Sequence, residues 1–157
     1  MNGIANDVQT FMVAGDQTTK TFNARQTAFY IGMQLEELAE KLDVLGRSGE
    51  GMKDLIQLAV DLDAEGKRFK RGVRDLIVLD LAPTEKAEMV DADFDLAWVS
   101  AAATLSMGVD VHAAHAEGAH TNLCKIGPTG KCVKDPETGK IQKPEGWTKP
   151  DFLRLIK

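Results

Sequence analysis

Cysteine is scarce in this 157-residue chain: Cys124 and Cys132 stand alone, with no second pair. Neither a zinc ribbon nor a disulfide framework is signalled, and both thiols are expected to be reduced and structural. Histidine is almost as rare, with His112, His115 and His120 confined to the stretch HAAHAEGAH. There is no H-E-x-x-H pattern, and these spacings do not bring three rings to one helix face, which argues against a zinc site. Long apolar runs are missing as well. The longest, Leu96 to Val109, falls short of the roughly 20 residues that a membrane-spanning helix needs. The first residues, MNGIANDVQ, lack a basic segment followed by an apolar one. A cytoplasmic protein with no membrane partner is therefore expected.

A broad basic surface is also lacking. The net charge is −5, but it is unevenly spread: residues 1–110 sum to −8 and residues 111–157 to +3. An acidic body with a basic tail speaks against general nucleic-acid binding and leaves room for a local anion site built from tail lysines. Length and a hydrophobic content of 43% fit one domain able to close a core of its own.

What is present is helical periodicity. Residues 4–14 suit one helix, ended by Gly15. From Ala24 to Leu45, Ala28, Ile31, Leu35, Leu38, Leu42 and Leu45 recur at three- and four-residue spacing, which predicts a long amphipathic helix stopped at Gly46. Met52 to Leu81 predicts two helices or one kinked helix, with Gly66 and Gly72 as breaks. Pro83-Thr84 is a start signal for a helix running to Gly108, and a further helix should cover about Val111 to Leu123. The segment KCVKDPETGKIQK reads as a small hairpin around a glycine-containing turn. The expected fold class is all-α, a bundle of about five helices with an irregular basic C-terminal tail.

Two helices carry the acids. Glu36, Glu37 and Glu40 share one sector of the second, pointing away from the leucine stripe. Like charges one turn apart repel by a few tenths of a kcal/mol, so three carboxylates without a lysine on that face invite a counter-cation. On the fourth predicted helix Glu88, Asp91 and Asp95 extend a line through Trp98, Val99, Ala102 and Val109. From Leu96 onward that helix is apolar or small nearly all round, the pattern of a buried helix. An ionised carboxylate on a buried stripe costs several kcal/mol unless it is compensated, and a hard divalent cation would compensate it.

Glu36-Glu37-Leu38-Ala39-Glu40, then DADFDLAWV with Asp91 and Asp95, then NLCK with Asn122 and Lys125, then TGKIQKPEGWTKPDF, together resemble the all-α nucleoside triphosphate pyrophosphatase superfamily, the MazG-like and phosphoribosyl-ATP pyrophosphohydrolase-like proteins. The resemblance spans residues 24–45 and 84–152. Two departures stand out. Ala92 occupies the place three before Asp95 where the family usually carries an acid, so Asp91 or Glu88 must substitute. And 50 residues separate Glu40 from Asp91, which implies a helical insertion over about 46–82 within a single domain.

The resemblance implies a Mg²⁺-dependent enzyme, with Mn²⁺ as substitute and two or more ions per site, that cleaves a nucleoside triphosphate to its monophosphate and pyrophosphate. Glu36, Glu37 and Glu40 would be catalytic and, with Asp91 and Asp95, would hold the metal. Asn122, Lys125 and Lys140 would take the outgoing pyrophosphate, while Phe29 and Met33 would lie against the base. Relatives suggest a purine deoxynucleotide such as dGTP or dATP and, if the chain is phage-encoded, the host cytoplasm. Short members of the family work as homodimers or homotetramers. The apolar helix from Leu96 to Val109 has its own reason to meet another copy, since five helices can hardly surround it. The rival expectation is a non-catalytic, metal-stabilised helical scaffold or regulatory subunit.

Overall fold

The computed structural model describes residues 3–71, 81–136 and 140–156. Within them the chain is all-α, with five helices: α1 (Ile4–Ala14), α2 (Ala24–Ser48), α3 (Asp54–Lys70), α4 (Pro83–Ser106) and α5 (Val111–Leu123). No described helix is long and apolar enough to cross a membrane. The chain divides into two compact units, Lys20–Asp80 on one side and Met1–Thr19 with Leu81–Lys157 on the other.

The first unit is a helical hairpin. Asn23 caps α2 by accepting a hydrogen bond from the Gln26 N–H at 3.1 Å. The expected stop at Gly46 is not one. The helix continues to Ser48, and Gly46 is buried where a Cβ would lie 2.6 Å from the Ile56 side chain. Its glycine serves packing rather than termination. The same holds for Gly66, which lies inside an unbroken α3 rather than at a break. The other expected break, Gly72, falls outside the described residues.

Small residues set how closely these helices approach. On α2, Gly32, Ala39 and Gly46 repeat every seven residues, as do Ala59 and Gly66 on α3, and all five are buried. A Cβ on Gly32 would meet the Gly66 carbonyl oxygen at 2.6 Å, and one on Gly66 would meet the Gly32 carbonyl oxygen at 2.6 Å. Backbone therefore rests on backbone. In the alternate heptad positions stand Leu35 and Leu42 on α2, preceded by the small, buried Ala28, and Leu55, Leu62 and Phe69 on α3. The seam is thus rotated from the leucine stripe that the sequence suggests: Leu38 and Leu45 remain 44% and 40% exposed.

In the second unit α5 is the centre. Asp110 caps it through bonds from the His112 and Ala113 N–H groups at 2.8 and 3.1 Å. His115 meets Asp7 of α1 at 3.3 Å, while the tail wraps back over α5. There the Trp147 Nε1–H donates to the Thr121 carbonyl at 2.9 Å, and the Asp151 N–H donates to Glu117 at 2.8 Å. The Cys132 N–H donates to the Ala14 carbonyl at 2.9 Å, and Lys131 pairs with Asp16, which fastens the tail to the end of α1. Of the expected hairpin over 131–143 there is one isolated antiparallel bridge, Lys134 to Ile141, rather than a pair of strands; a second bridge, Ile126 to Cys132, lies before it. Residues 137–139 at the hairpin's turn lie outside the described residues.

α4 departs most from expectation. It starts at Pro83, where Glu85 accepts the Ala82 N–H at 2.7 Å, and ends before Gly108, whose φ of +74° suits glycine. Yet none of its residues is buried. Val90 and Trp98 are 68% exposed, and Phe94, Leu96, Val99 and Leu105 are exposed with them. The buried apolar residues of the described chain are Ala14, Ala28, Ala39, Ala59 and Val109, none larger than valine. Among the described residues, therefore, the large apolar side chains gathered on α4 are left exposed.

Candidate functional site

The acidic triad lies in the hairpin unit. Glu36, Glu37 and Glu40 follow one another along α2, but they do not all point away from the packed face. Glu36 is half-buried beside the seam and receives a 2.5 Å ion pair from Lys70 of α3. The lysine that the linear spacing lacked comes from the neighbouring helix. Lys70 Nζ also lies 5.8 Å from the centroid of the Phe29 ring, on the same flank as Met33. Glu37 carries the mark of crowding: burial pushes its carboxyl above the usual range, Glu40 and Glu36 add to the push, and Lys70 opposes it.

Asp91 and Asp95 lie in the other unit, exposed on α4, and neither forms an ion pair with another described residue. Glu88, the alternative ligand, is exposed one turn before them. The desolvation cost that would have demanded a cation beside them is absent in a single chain, because α4 is not buried. Among the described residues no group of three or more His, Cys, Asp or Glu side chains lies close enough to hold a metal ion. The donors suit a hard cation in type, being carboxylates, but Glu36 would have to release Lys70 to serve.

The tail forms a second constellation. Lys125 donates to Asn122 Oδ1 at 2.7 Å, so the N-x-x-K pair is assembled within one turn at the end of α5. Lys125 Nζ lies 5.7 Å from the Phe11 ring centroid and 5.5 Å from that of Trp147, and Lys143 Nζ lies 4.3 Å from the same indole. Burial drives the Lys125 ammonium below its usual pKa, the positive charges of Lys143 and Lys140 add to that, and the Cys132 thiol opposes them. Burial in turn pushes the Cys132 thiol upward. Lys140 thus acts on Lys125 through its charge.

Of the expected site residues, Glu36 and Glu40 act on Glu37 through their charge, Phe29 lies near the Lys70 that pairs with Glu36, Met33 stands one turn after Phe29 on α2, and Asn122 joins Lys125 under the influence of Lys140. Three residues were not expected: Lys70, Lys143 and Trp147. Lys143 and Trp147 belong to the KPEGW stretch, but a loop has no period that says which side chains converge. Of the histidines, His115 is taken up by Asp7, and His120 lies 3.7 Å from the Cys124 sulfur. No family model matches this chain, no curated protein matches it, and no solved structure matches it.

Proposed function

We propose that the chain is a Mg²⁺-dependent nucleoside triphosphate pyrophosphohydrolase, taking a purine deoxynucleotide such as dGTP or dATP to its monophosphate and pyrophosphate. The observation that supports this most is the tail cluster: in a protein of net charge −5, Lys125 and Lys143 lie over one indole beside Asn122, and Lys140 is near enough to act on Lys125 through its charge. Burial first, and the charges of Lys143 and Lys140 after it, lower the proton affinity of Lys125, and an oligophosphate beside it would relieve that. The acidic sector of α2 carries the carboxylates proposed for the ion. Glu36, Glu37 and Glu40, with Asp91 and Asp95, would hold the ion, whose part is to neutralise phosphate charge and acidify an attacking water. Glu40 is exposed on that sector and able to orient the water, while Lys70 stands ready to hold Glu36 whenever no cation does. Release of inorganic pyrophosphate from a mixed nucleotide panel tests the reading. Turnover should require Mg²⁺ or Mn²⁺, and full activity in excess EDTA would refute it. Ca²⁺ should bind yet support little chemistry, because its looser shell positions water poorly.

One observation favours the rival reading of a helical scaffold or regulatory subunit. The Lys70–Glu36 pair satisfies Glu36 without any metal. Failure of every nucleotide in the panel to release pyrophosphate, with Mg²⁺ present, decides for the scaffold.

The same proposal includes self-assembly as a homodimer or homotetramer through α4. Val90, Phe94, Ala101 and Leu105 recur along one side of that helix, and Phe94 and Trp98 place their ring centroids 6.0 Å apart. So many large apolar residues on one exposed helix form a surface that water does not favour, and burying them at about 25 cal/mol per Å² is a strong drive to associate. A second copy of the chain presents the same face and meets the need symmetrically.

A further inference from the structure

We propose that His120 Nε2 and Cys124 Sγ form a two-ligand binding site for a soft divalent transition metal such as Zn²⁺, exposed at the C-terminal end of α5. The site is independent of the nucleotide reading and uses none of the carboxylates that reading assigns to Mg²⁺.

The three histidines do not gather into one metal group, as their spacing predicts, but His120 meets a different partner. Four residues on, Cys124 ends α5, and its N–H donates to the His120 carbonyl at 3.0 Å. That helical bond places both side chains on one face, one turn apart. There the Cys124 sulfur lies 3.7 Å from His120 Nε2. A tetrahedral zinc ion holds sulfur at about 2.3 Å and imidazole nitrogen at about 2.0–2.1 Å, which sets the two donors about 3.6 Å apart. The observed separation is therefore that of two neighbouring ligands of one ion.

Cys124 and His120 are both exposed, so packing does not account for the thiol and an ion can reach the pair from solvent. A cleft of about 590 Å³, lined by Ala113, Ala116, Glu117, His120, Arg154 and Leu155, leaves room for further ligands beside the imidazole. Glu117 is not one of them, because its carboxylate is held by the Asp151 N–H at 2.8 Å and by Arg154. The chain thus supplies two ligands, in keeping with the lack of any three-residue metal group among the described residues. Thiolate and imidazole select zinc-like ions, whereas Mg²⁺ and Ca²⁺ prefer oxygen. On binding, the thiol releases its proton to water, and the neutral imidazole keeps its own on Nδ1. Water, or the same pair from a second copy, takes the remaining positions.

Cobalt(II) reports on such a site, because a bound thiolate gives it a charge-transfer band in the near ultraviolet. Co²⁺ should be titrated into the reduced full-length protein and then displaced. A saturable band that Zn²⁺ removes and excess Mg²⁺ leaves in place supports the site. Two cysteines are present, so the band should survive Cys132→Ser and disappear in Cys124→Ser. His120→Ala should weaken binding tenfold or more, and His112→Ala should not change it. Both ligands are exposed, so the variants should keep the circular dichroism spectrum of the wild type. One ion per chain assigns the open positions to water, and one ion per two chains assigns them to a second copy; either supports the site. No saturable band, a band that persists in Cys124→Ser, or wild-type affinity in His120→Ala overturns the proposal. The readout needs no nucleotide: absence of pyrophosphate release leaves this site standing, and absence of the band leaves the hydrolase standing.

Discussion

Replacing Gly66 with alanine tests whether contact between the backbones of α2 and α3 positions the acidic sector. A methyl group there would stand 2.6 Å from the Gly32 carbonyl oxygen, 2.9 Å from Glu36 Cγ and 3.2 Å from the Glu36 nitrogen. Two of these three neighbours are backbone atoms inside α2, which cannot turn aside as a flexible side chain can. The helices must therefore separate by several tenths of an ångström along a seam where Gly32, Ala39, Ala59 and Gly46 leave little else to hold them. Overpacking of this kind costs about 1–3 kcal/mol. Alanine recovers about 1 kcal/mol of helix propensity over glycine, so the net loss should be up to about 2 kcal/mol. For a chain of this length each kcal/mol lowers the melting temperature by about 2–4 °C. Gly51→Ala is the matched control, because a Cβ there meets nothing within 4 Å and the change should be neutral or slightly stabilising. Thermal melts followed by circular dichroism compare the two. A Gly66→Ala protein as stable as the wild type would show that propensity outweighs the clash and that the helices are not in backbone contact.

Glu40→Ala or Asp95→Ala should abolish pyrophosphate release while the circular dichroism spectrum keeps its helical form, because carboxylates gathered for a cation repel one another without it; wild-type turnover in either variant would end the proposal that acids from two helices hold the metal. Ala102→Glu, a charge placed on the exposed face of α4, should dissociate the assembly and lower activity together. Light scattering that shows a fully active wild-type monomer at micromolar concentration would refute that assembly. Glu117 is held below the usual carboxylate range by the Asp151 N–H first and Arg154 second, so its hold on the tail is present above the unfolded pKa and is lost as pH falls through the lower folded value. Hydrogen exchange at residues 151–154 should quicken in acid for the wild type and be fast at every pH in Glu117→Ala.

The sequence by itself determined the helices. Gly15, Pro83 and Gly108 are local signals, set by the backbone freedom of one residue, and they mark the ends of α1 and α4 as the sequence predicts. Asn122 and Lys125 were legible for the same reason, since three residues on a helix end bring side chains together without help from elsewhere. Tertiary structure decided what the periodicity left ambiguous. Three- and four-residue spacing does not by itself fix the seam: Leu38 and Leu45 fit a helical stripe as well as Leu35 and Leu42, and only the facing Ala59 and Gly66 select the buried face, since small residues permit the closest approach. The same pairing turned Gly46 and Gly66 from stop signals into contact points and brought Lys70 to Glu36, 34 residues away in the chain. The convergence of Lys125 and Lys143 on Trp147 depends on an irregular tail folding back to the Thr121 carbonyl, a path with no repeat in the sequence to announce it. α4 shows the converse: its apolar composition promised burial, but burial needs a partner surface, which composition cannot specify, and none of its residues is buried among the described residues.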